Sequence, residues 1–78
     1  MIDSKGIEAL IRATLPDAEV RVVDLTGTMD HYDIRVRSKA FAGKNRLDQH
    51  RMVYAALEEA RRDGRIHALQ LKTEVLNV

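Results

Sequence analysis

Tyr-Asp-Ile-Arg-Val-Arg, residues 32–37, alternates a largely apolar side chain with a charged one at every step. Because successive side chains of a β-strand point to opposite faces, this stretch predicts a strand with one buried face and one charged, solvated face. Residues 18–25 are rich in valine, with Val20 and Val22 on one face, and a turn containing Gly27 follows them. The two segments together predict a β-hairpin in a sheet that is covered on one side.

A predicted helix precedes the hairpin and a short helical turn follows it. Apolar residues recur at helical spacing over residues 4–15, Asp3 or Ser4 is suited to cap the start, and Pro16 ends the pattern. Residues 38–42 are too few for a full helix, so they predict a single helical turn that a glycine stops.

A second, longer helix is predicted over residues 46–63. Asn45 is suited to cap its start, two arginines favour the negative end of its dipole, and Gly64 suits its C-terminal cap. The inward-facing stripe is predicted to consist of Leu47, Tyr54 and Leu57, widened by Val53, Ala56 and Ala60.

The last predicted element is a third strand over residues 66–73, with Leu69 and Leu71 on one face and residues 74–78 as a short tail. The element order is then αββααβ, in one domain spanning residues 1–78. This order predicts the α+β class, with helices on one face of a three-stranded sheet. If the third strand lies parallel to a hairpin strand, the long helix is the crossover between them and runs right-handed.

The amino-acid composition limits the kinds of metal site and membrane association that this protein can have. The 78 residues include no cysteine and three histidines, so imidazole is the only good soft-metal ligand that this chain has, and any iron or zinc chemistry must use it or thiolates of a partner. The sequence has no apolar run long enough for a signal peptide or a bilayer span. It therefore predicts a soluble, cytoplasmic protein without a membrane partner.

Two histidines are candidate metal ligands, and each has a more common structural interpretation. His67 shares a strand face with Leu69 and Leu71, as would a partly buried histidine bonded to the backbone. His31 follows Asp30 in a loop, where histidines are mostly solvated. The third, His50, shares the apolar face of the long helix and is assigned a structural role, such as a buried hydrogen bond.

Charge is unevenly distributed, although the formal net charge is only +1. Residues 1–34 carry three basic and seven acidic side chains, whereas residues 35–51 carry six basic and one acidic. The basic residues of the second segment predict either a solvated face or one positive surface for phosphate or an acidic protein. They are Arg35, Arg37, Lys39, Lys44, Arg46 and Arg51.

The sequence offers little for catalysis, and we assign no catalytic residue. Residues 43–45, Gly-Lys-Asn, lack the earlier glycine and the following serine or threonine of a phosphate-binding loop. Ser4 and Ser38 have no histidine neighbour in sequence, and His50 lacks the second histidine of a helical zinc motif. The chain is therefore predicted not to be an enzyme.

Three motifs occur in an order and spacing typical of one family: a phenylalanine-small-glycine-lysine turn, a His-Arg-x-Val-Tyr helix and an Ile-His-Ala-Leu strand. Together with the valine-rich strand and His31-Tyr32, they closely resemble the BolA family over about residues 5–73. The segments that carry the resemblance are Val20–Leu25, His31-Tyr32, Ser38–Lys44, Gln49–Leu57 and Ile66–Thr73.

The resemblance implies a fold similar to the class II KH domain and a partnership with monothiol glutaredoxins that carry a Cys-Gly-Phe-Ser motif. It implies a shared two-iron two-sulfur (2Fe-2S) cluster, for cluster trafficking or iron sensing. Glutaredoxin and glutathione supply thiolates, and by motif position His67 and His31 supply imidazoles. The isolated protein is expected to hold no cofactor and to be a monomer or a weak homodimer.

The alternative from another class is a nucleic-acid-binding transcriptional regulator, a role associated with some relatives in this family. Residues 35–51 resemble a helix-turn-helix, and phosphate contacts would come from Arg37, Lys39, Lys44, Arg46 and Arg51. Against this alternative, the Gly-x-x-Gly signature by which KH domains clamp nucleotides is missing from the sequence.

Overall fold

The computed structural model describes residues 3–25, 27, 31–66 and 68–76. Its class and element order are those predicted, with a three-residue 3-10 helix as the short helical turn. The elements are α1 (Ser4–Thr14), β1 (Glu19–Asp24), β2 (His31–Ser38), the 3-10 helix (Lys39–Phe41), α2 (Arg46–Arg62) and β3 (Ala68–Val75). In the described part of the chain, neither helix combines the length and apolar character that crossing a membrane requires.

The three strands form one mixed sheet in the order β1-β2-β3. β1 and β2 are antiparallel, with Val22 opposite Ile34, which confirms the predicted hairpin. β3 lies parallel to β2, with Ala68 beside His31 at one end of the pair. The long helix α2 is therefore the crossover between two parallel neighbours, as the sequence predicted for that case.

The helices cover one face of the sheet. Tyr32, Ile34 and Val36 of β2 are at most 1% exposed on that face, as their alternation predicted. They share a core with residues of both helices, namely Ile7, Ile11, Leu15, Val53, Leu57 and Ala60, and with Ala18, Phe41 and Ile66. The opposite face, called the open face below, carries residues 19, 21 and 23, residues 31, 33, 35 and 37, and residues 68, 70, 72 and 74.

Both helices begin at the predicted caps. Asp3 caps α1 by accepting the Gly6 N–H at 2.8 Å, and Asn45 caps α2 by accepting the Asp48 N–H at 2.9 Å. Each bond satisfies a backbone donor that has no partner within the first helical turn. α2 ends at Arg62, and Gly64 follows its C-cap with φ +84°, a left-handed conformation that favours glycine.

The predicted inward stripe of α2 is wrong in its centre. Leu47 is 57% exposed, whereas Val53, Leu57 and Ala60 are fully buried. At 100° per residue, Leu47 lies about 120° around the helix from Val53, and Tyr54 about 100°. The core contact therefore follows the 53-57-60 spacing. His50 borders it and meets the Tyr54 ring edge-to-face, with 6.2 Å between ring centroids.

The third strand starts and ends two residues later than predicted. Ile66 lies in the connection between α2 and β3, where its N–H donates to the Ala60 carbonyl of α2 at 3.0 Å. Glu74 and Val75, predicted to lie in a tail, continue the strand beside Arg37 and Ser38. β3 therefore pairs with the whole length of β2.

Candidate functional site

His31 is the first residue of β2, at the end of the sheet where the β1–β2 connection returns. Its carbonyl accepts the Leu25 N–H at 2.9 Å, and its side chain is partly buried. Residue alternation places that side chain on the open face, together with Asp33 and Arg35. Leu25, 51% exposed, and Val23, 46% exposed, lie nearby on β1 and its continuation.

His67, the other predicted ligand, lies outside the described residues. Its two chain neighbours are described: Ile66 is 2% exposed, and Ala68 is the first residue of β3. In the parallel register, Ala68 is the direct partner of His31. The structure therefore places the start of the strand that follows His67 beside the other candidate ligand.

Within residues 3–25, 27, 31–66 and 68–76, no three side chains of histidine, cysteine, aspartate or glutamate form a group able to hold a metal ion. His31 is partly exposed at one end of the open face, and imidazole is a common metal ligand.

The residues predicted for nucleic-acid binding come from three parts of the fold: β2, the segment that joins β2 to α2, and α2. Arg37 lies on the open face between two carboxylates, 3.2 Å from Glu19 and 3.6 Å from Glu74. Arg46 and Arg51 are exposed on α2, on the covered side of the sheet. Lys39 and Lys44 are exposed in the segment that joins β2 to α2. The first helix of the predicted helix-turn-helix is the three-residue 3-10 helix.

A row of cations on the open face was not predicted from the sequence. Arg21 lies opposite Arg35 in the antiparallel pair, and Lys72 lies beside Arg35 in the parallel pair. Only Arg35 belongs to the basic segment recognised in the sequence. Alternation marks all three as outward-facing, but the register that aligns them is a property of the sheet pairing.

Asp17 fixes the segment that leaves β2. Its carboxylate accepts the Lys39 N–H at 2.8 Å and the Ser38 hydroxyl at 2.7 Å. These two hydrogen bonds, the backbone bond first, lower the pKa of Asp17 below its usual value because both stabilise the charged carboxylate. Ser38, which is fully buried, also accepts the Ala40 N–H at 3.1 Å. The group is structural and sets the direction of the chain toward α2.

Comparison with known proteins identifies relatives along nearly the whole chain. The model of the family described as BolA-like protein matches residues 11–77. Protein BOLA2 of Arabidopsis thaliana is 37% identical over 73 residues, which cover 92% of this chain and 76% of that protein. An uncharacterised BolA-like protein of Schizosaccharomyces pombe is 40% identical over 72 residues. The match covers 91% of this chain but only 60% of the yeast protein.

The fold agrees with a solved structure. The crystal structure of a Bol-like protein from Babesia bovis superposes with a TM-score of 0.81 at 26% sequence identity. The superposition covers 96% of this chain and 86% of that protein.

Proposed function

Because this chain belongs to the BolA-like protein family, we propose that it is a non-enzymatic adaptor that binds a monothiol glutaredoxin with a Cys-Gly-Phe-Ser motif. In the complex, His31 and His67 supply imidazole ligands to a 2Fe-2S cluster, and the glutaredoxin and glutathione supply thiolates. The cluster is the cargo of the complex, which acts in iron-sulfur cluster trafficking or iron sensing.

One structural observation carries the proposal. Ala68, joined to His67 by a peptide bond, is the sheet neighbour of His31, so segments far apart in sequence meet at one end of the sheet. The partly exposed side chain of His31 is on the uncovered face of that sheet. A partner can therefore approach this end without displacing a helix.

The ligand chemistry suits a chain without thiols. Replacing two thiolates of a 2Fe-2S cluster by imidazoles raises its reduction potential. An imidazole must be neutral to bind, so proton competition becomes strong as the pH falls to about 6.5 and below. Histidine ligation thus gives a shared cluster a ligand set that is easily released.

The proposal is tested by reconstituting the cluster on a Cys-Gly-Phe-Ser glutaredoxin with glutathione, with and without this protein, and recording visible circular dichroism. Wild-type protein should change the spectrum, His67→Ala should abolish the change, and His31→Ala should weaken it. Acidification should also make the change fade, because a protonated imidazole cannot bind a metal. His50→Ala is the matched control, because His50 packs against Tyr54 on α2.

Far-ultraviolet spectra of each variant establish that the fold is kept. An unchanged visible spectrum with wild-type protein would rule out histidine ligation. Equal losses in the His50 and His67 variants would show that the effect does not depend on the two proposed ligands.

A further inference from the structure

Three cationic side chains lie side by side across the open face. Arg21, Arg35 and Lys72 come from β1, β2 and β3 and are aligned by the register of both strand pairs. Since neighbouring strands are about 4.8 Å apart, this cation row is about 10 Å long. Like charges directly opposite each other repel, so an anion bound across the row would relieve this repulsion.

The acidic side chains of the sheet leave this row largely unmatched. In the described part of the chain, the one carboxylate within ion-pair distance of the row is that of Asp33, 4.0 Å from Arg35, which is the limit of an ion pair. Among the residues that the structure describes, Arg21 and Lys72 have no acidic side chain within 4.0 Å. Glu19 and Glu74 instead pair with Arg37, in the next row along the strands.

The open face combines a shallow depression with a narrow band of positive charge. The cation row and the row of Arg37 wall a shallow depression of about 440 Å³. The cation row has a charge of +3, and the row Glu19-Arg37-Glu74 on one side has −1. The row on the other side, Val23-Asp33-Gln70, also has −1. Rows on one face are about 7 Å apart, so the positive band is a single row wide.

We propose that the open face docks an acidic patch of a protein partner, whose carboxylates lie over Arg21, Arg35 and Lys72. A nucleic acid carries negative charge along its whole length and would place phosphates over the two flanking rows of charge −1. A protein surface can instead carry a few carboxylates that face only the cation row. Acidic residues at positions i, i+4 and i+7 of a helix span about 10.5 Å, close to the length of the cation row. This docking requires neither histidine ligation nor a cluster.

The test uses two helical peptides of about 15 residues with the same composition. One carries glutamates at i, i+4 and i+7, and the other carries them on different faces. Amide chemical shifts of the ¹⁵N-labelled protein are followed during each titration. The first peptide should bind more tightly, shift amides of all three strands and weaken with added salt. Arg21→Gln and Arg35→Gln should each raise its Kd about two- to fivefold, the effect of one lost ion pair.

Arg51→Gln is the matched control, because Arg51 is exposed on α2, across the sheet from the cation row. It should leave the Kd unchanged. Equal weakening by Arg51→Gln, equal binding of the two peptides, or shifts confined to α2 would overturn the proposal. So would a duplex DNA of equal charge that binds more tightly than the first peptide and depends on Arg35.

Discussion

At the scale of single residues, Asp17 and Ser38 hold together three parts of the chain: the loop after α1, the end of β2 and the 3-10 helix. Ser38 Oγ donates to Asp17 at 2.7 Å while accepting from Ala40, so both roles of this buried hydroxyl are used. Asp17 receives the Lys39 N–H with its second oxygen. Removing one partner would leave a donor or acceptor without its hydrogen bond, and an unsatisfied buried polar group lowers the free energy of unfolding more than the loss of both partners does.

The lowered pKa of Asp17 gives a prediction for acid stability. Since the charged carboxylate is favoured in the folded state, its contribution is full above the unfolded-state pKa, about 4, and is lost as the pH falls through the lower folded-state pKa. Asp17→Asn should therefore lower the urea midpoint at pH 7 and reduce the loss of stability on acidification.

The measurement is a set of urea unfolding curves between neutral and acidic pH. Glu59→Gln, at an exposed position on α2, is the control and should follow the wild-type pH profile. A parallel pH dependence of wild-type and Asp17→Asn proteins would show that this carboxylate does not contribute through its charge.

For single residues of the site, the sequence predicts the face of a strand on which a side chain lies but not its neighbour on the next strand. His31 was predicted to lie in a loop, but the alternation that begins at Tyr32 extends one residue further and places it in β2. Its face follows from that alternation. The partnership of Arg21 with Arg35, and of His31 with Ala68, requires a pairing register, and no local pattern in any one segment encodes it.

At the scale of elements, α2 is a helix that was predicted correctly but with the centre of its inward face displaced. The N-cap, start and approximate end follow from local chemistry and agree with the structure. The prediction centred the stripe on the large residues Leu47, Tyr54 and Leu57 and placed Val53 and Ala60 at its margins, whereas the core contact is centred on the 53-57-60 spacing. Because α2 packs closely on the sheet and α1, Val53 and Ala60 fill the contact, while Leu47 remains exposed.

This corrected face predicts very different costs for two leucines on the same helix. Leu57→Ala deletes a fully buried side chain and should lower the free energy of unfolding by about 2 to 5 kcal/mol. Leu47→Ala, at a position 57% exposed, should change it by about 0.5 kcal/mol or less. Chemical denaturation of both variants measures the difference, and similar costs would contradict the assigned face.

At the scale of the whole molecule, the sequence predicted the class, the order of elements and the covered side, but it left open which hairpin strand receives β3. The structure pairs β3 with β2, so β2 becomes the central strand and α2 the crossover. This choice depends on contacts between segments more than thirty residues apart. The alternating pattern of β3, which fits either neighbour, does not decide it.

The central position of β2 predicts the pattern of amide hydrogen exchange. Its N–H groups have a strand on either side, and Ile34 and Val36 are fully buried. We expect these amides to be among the slowest to exchange, through global unfolding, and those of β1, an edge strand, to exchange faster. Exchange followed by NMR measures this order. Slower exchange in β1 than in β2 would contradict the strand order.

The parallel pairing has a consequence for biosynthesis. β2 is complete at Ser38, but the partner for its second edge is not synthesised until Val75. At translation rates of about 5 to 20 residues per second, the ribosome needs about 2 to 7 s to cover that distance. Until β3 emerges from the ribosome, the hairpin has an unpaired β2 edge, and its valine-rich apolar face lacks the cover that α2 provides. Nascent chains are thus open to chaperone capture until the last strand emerges.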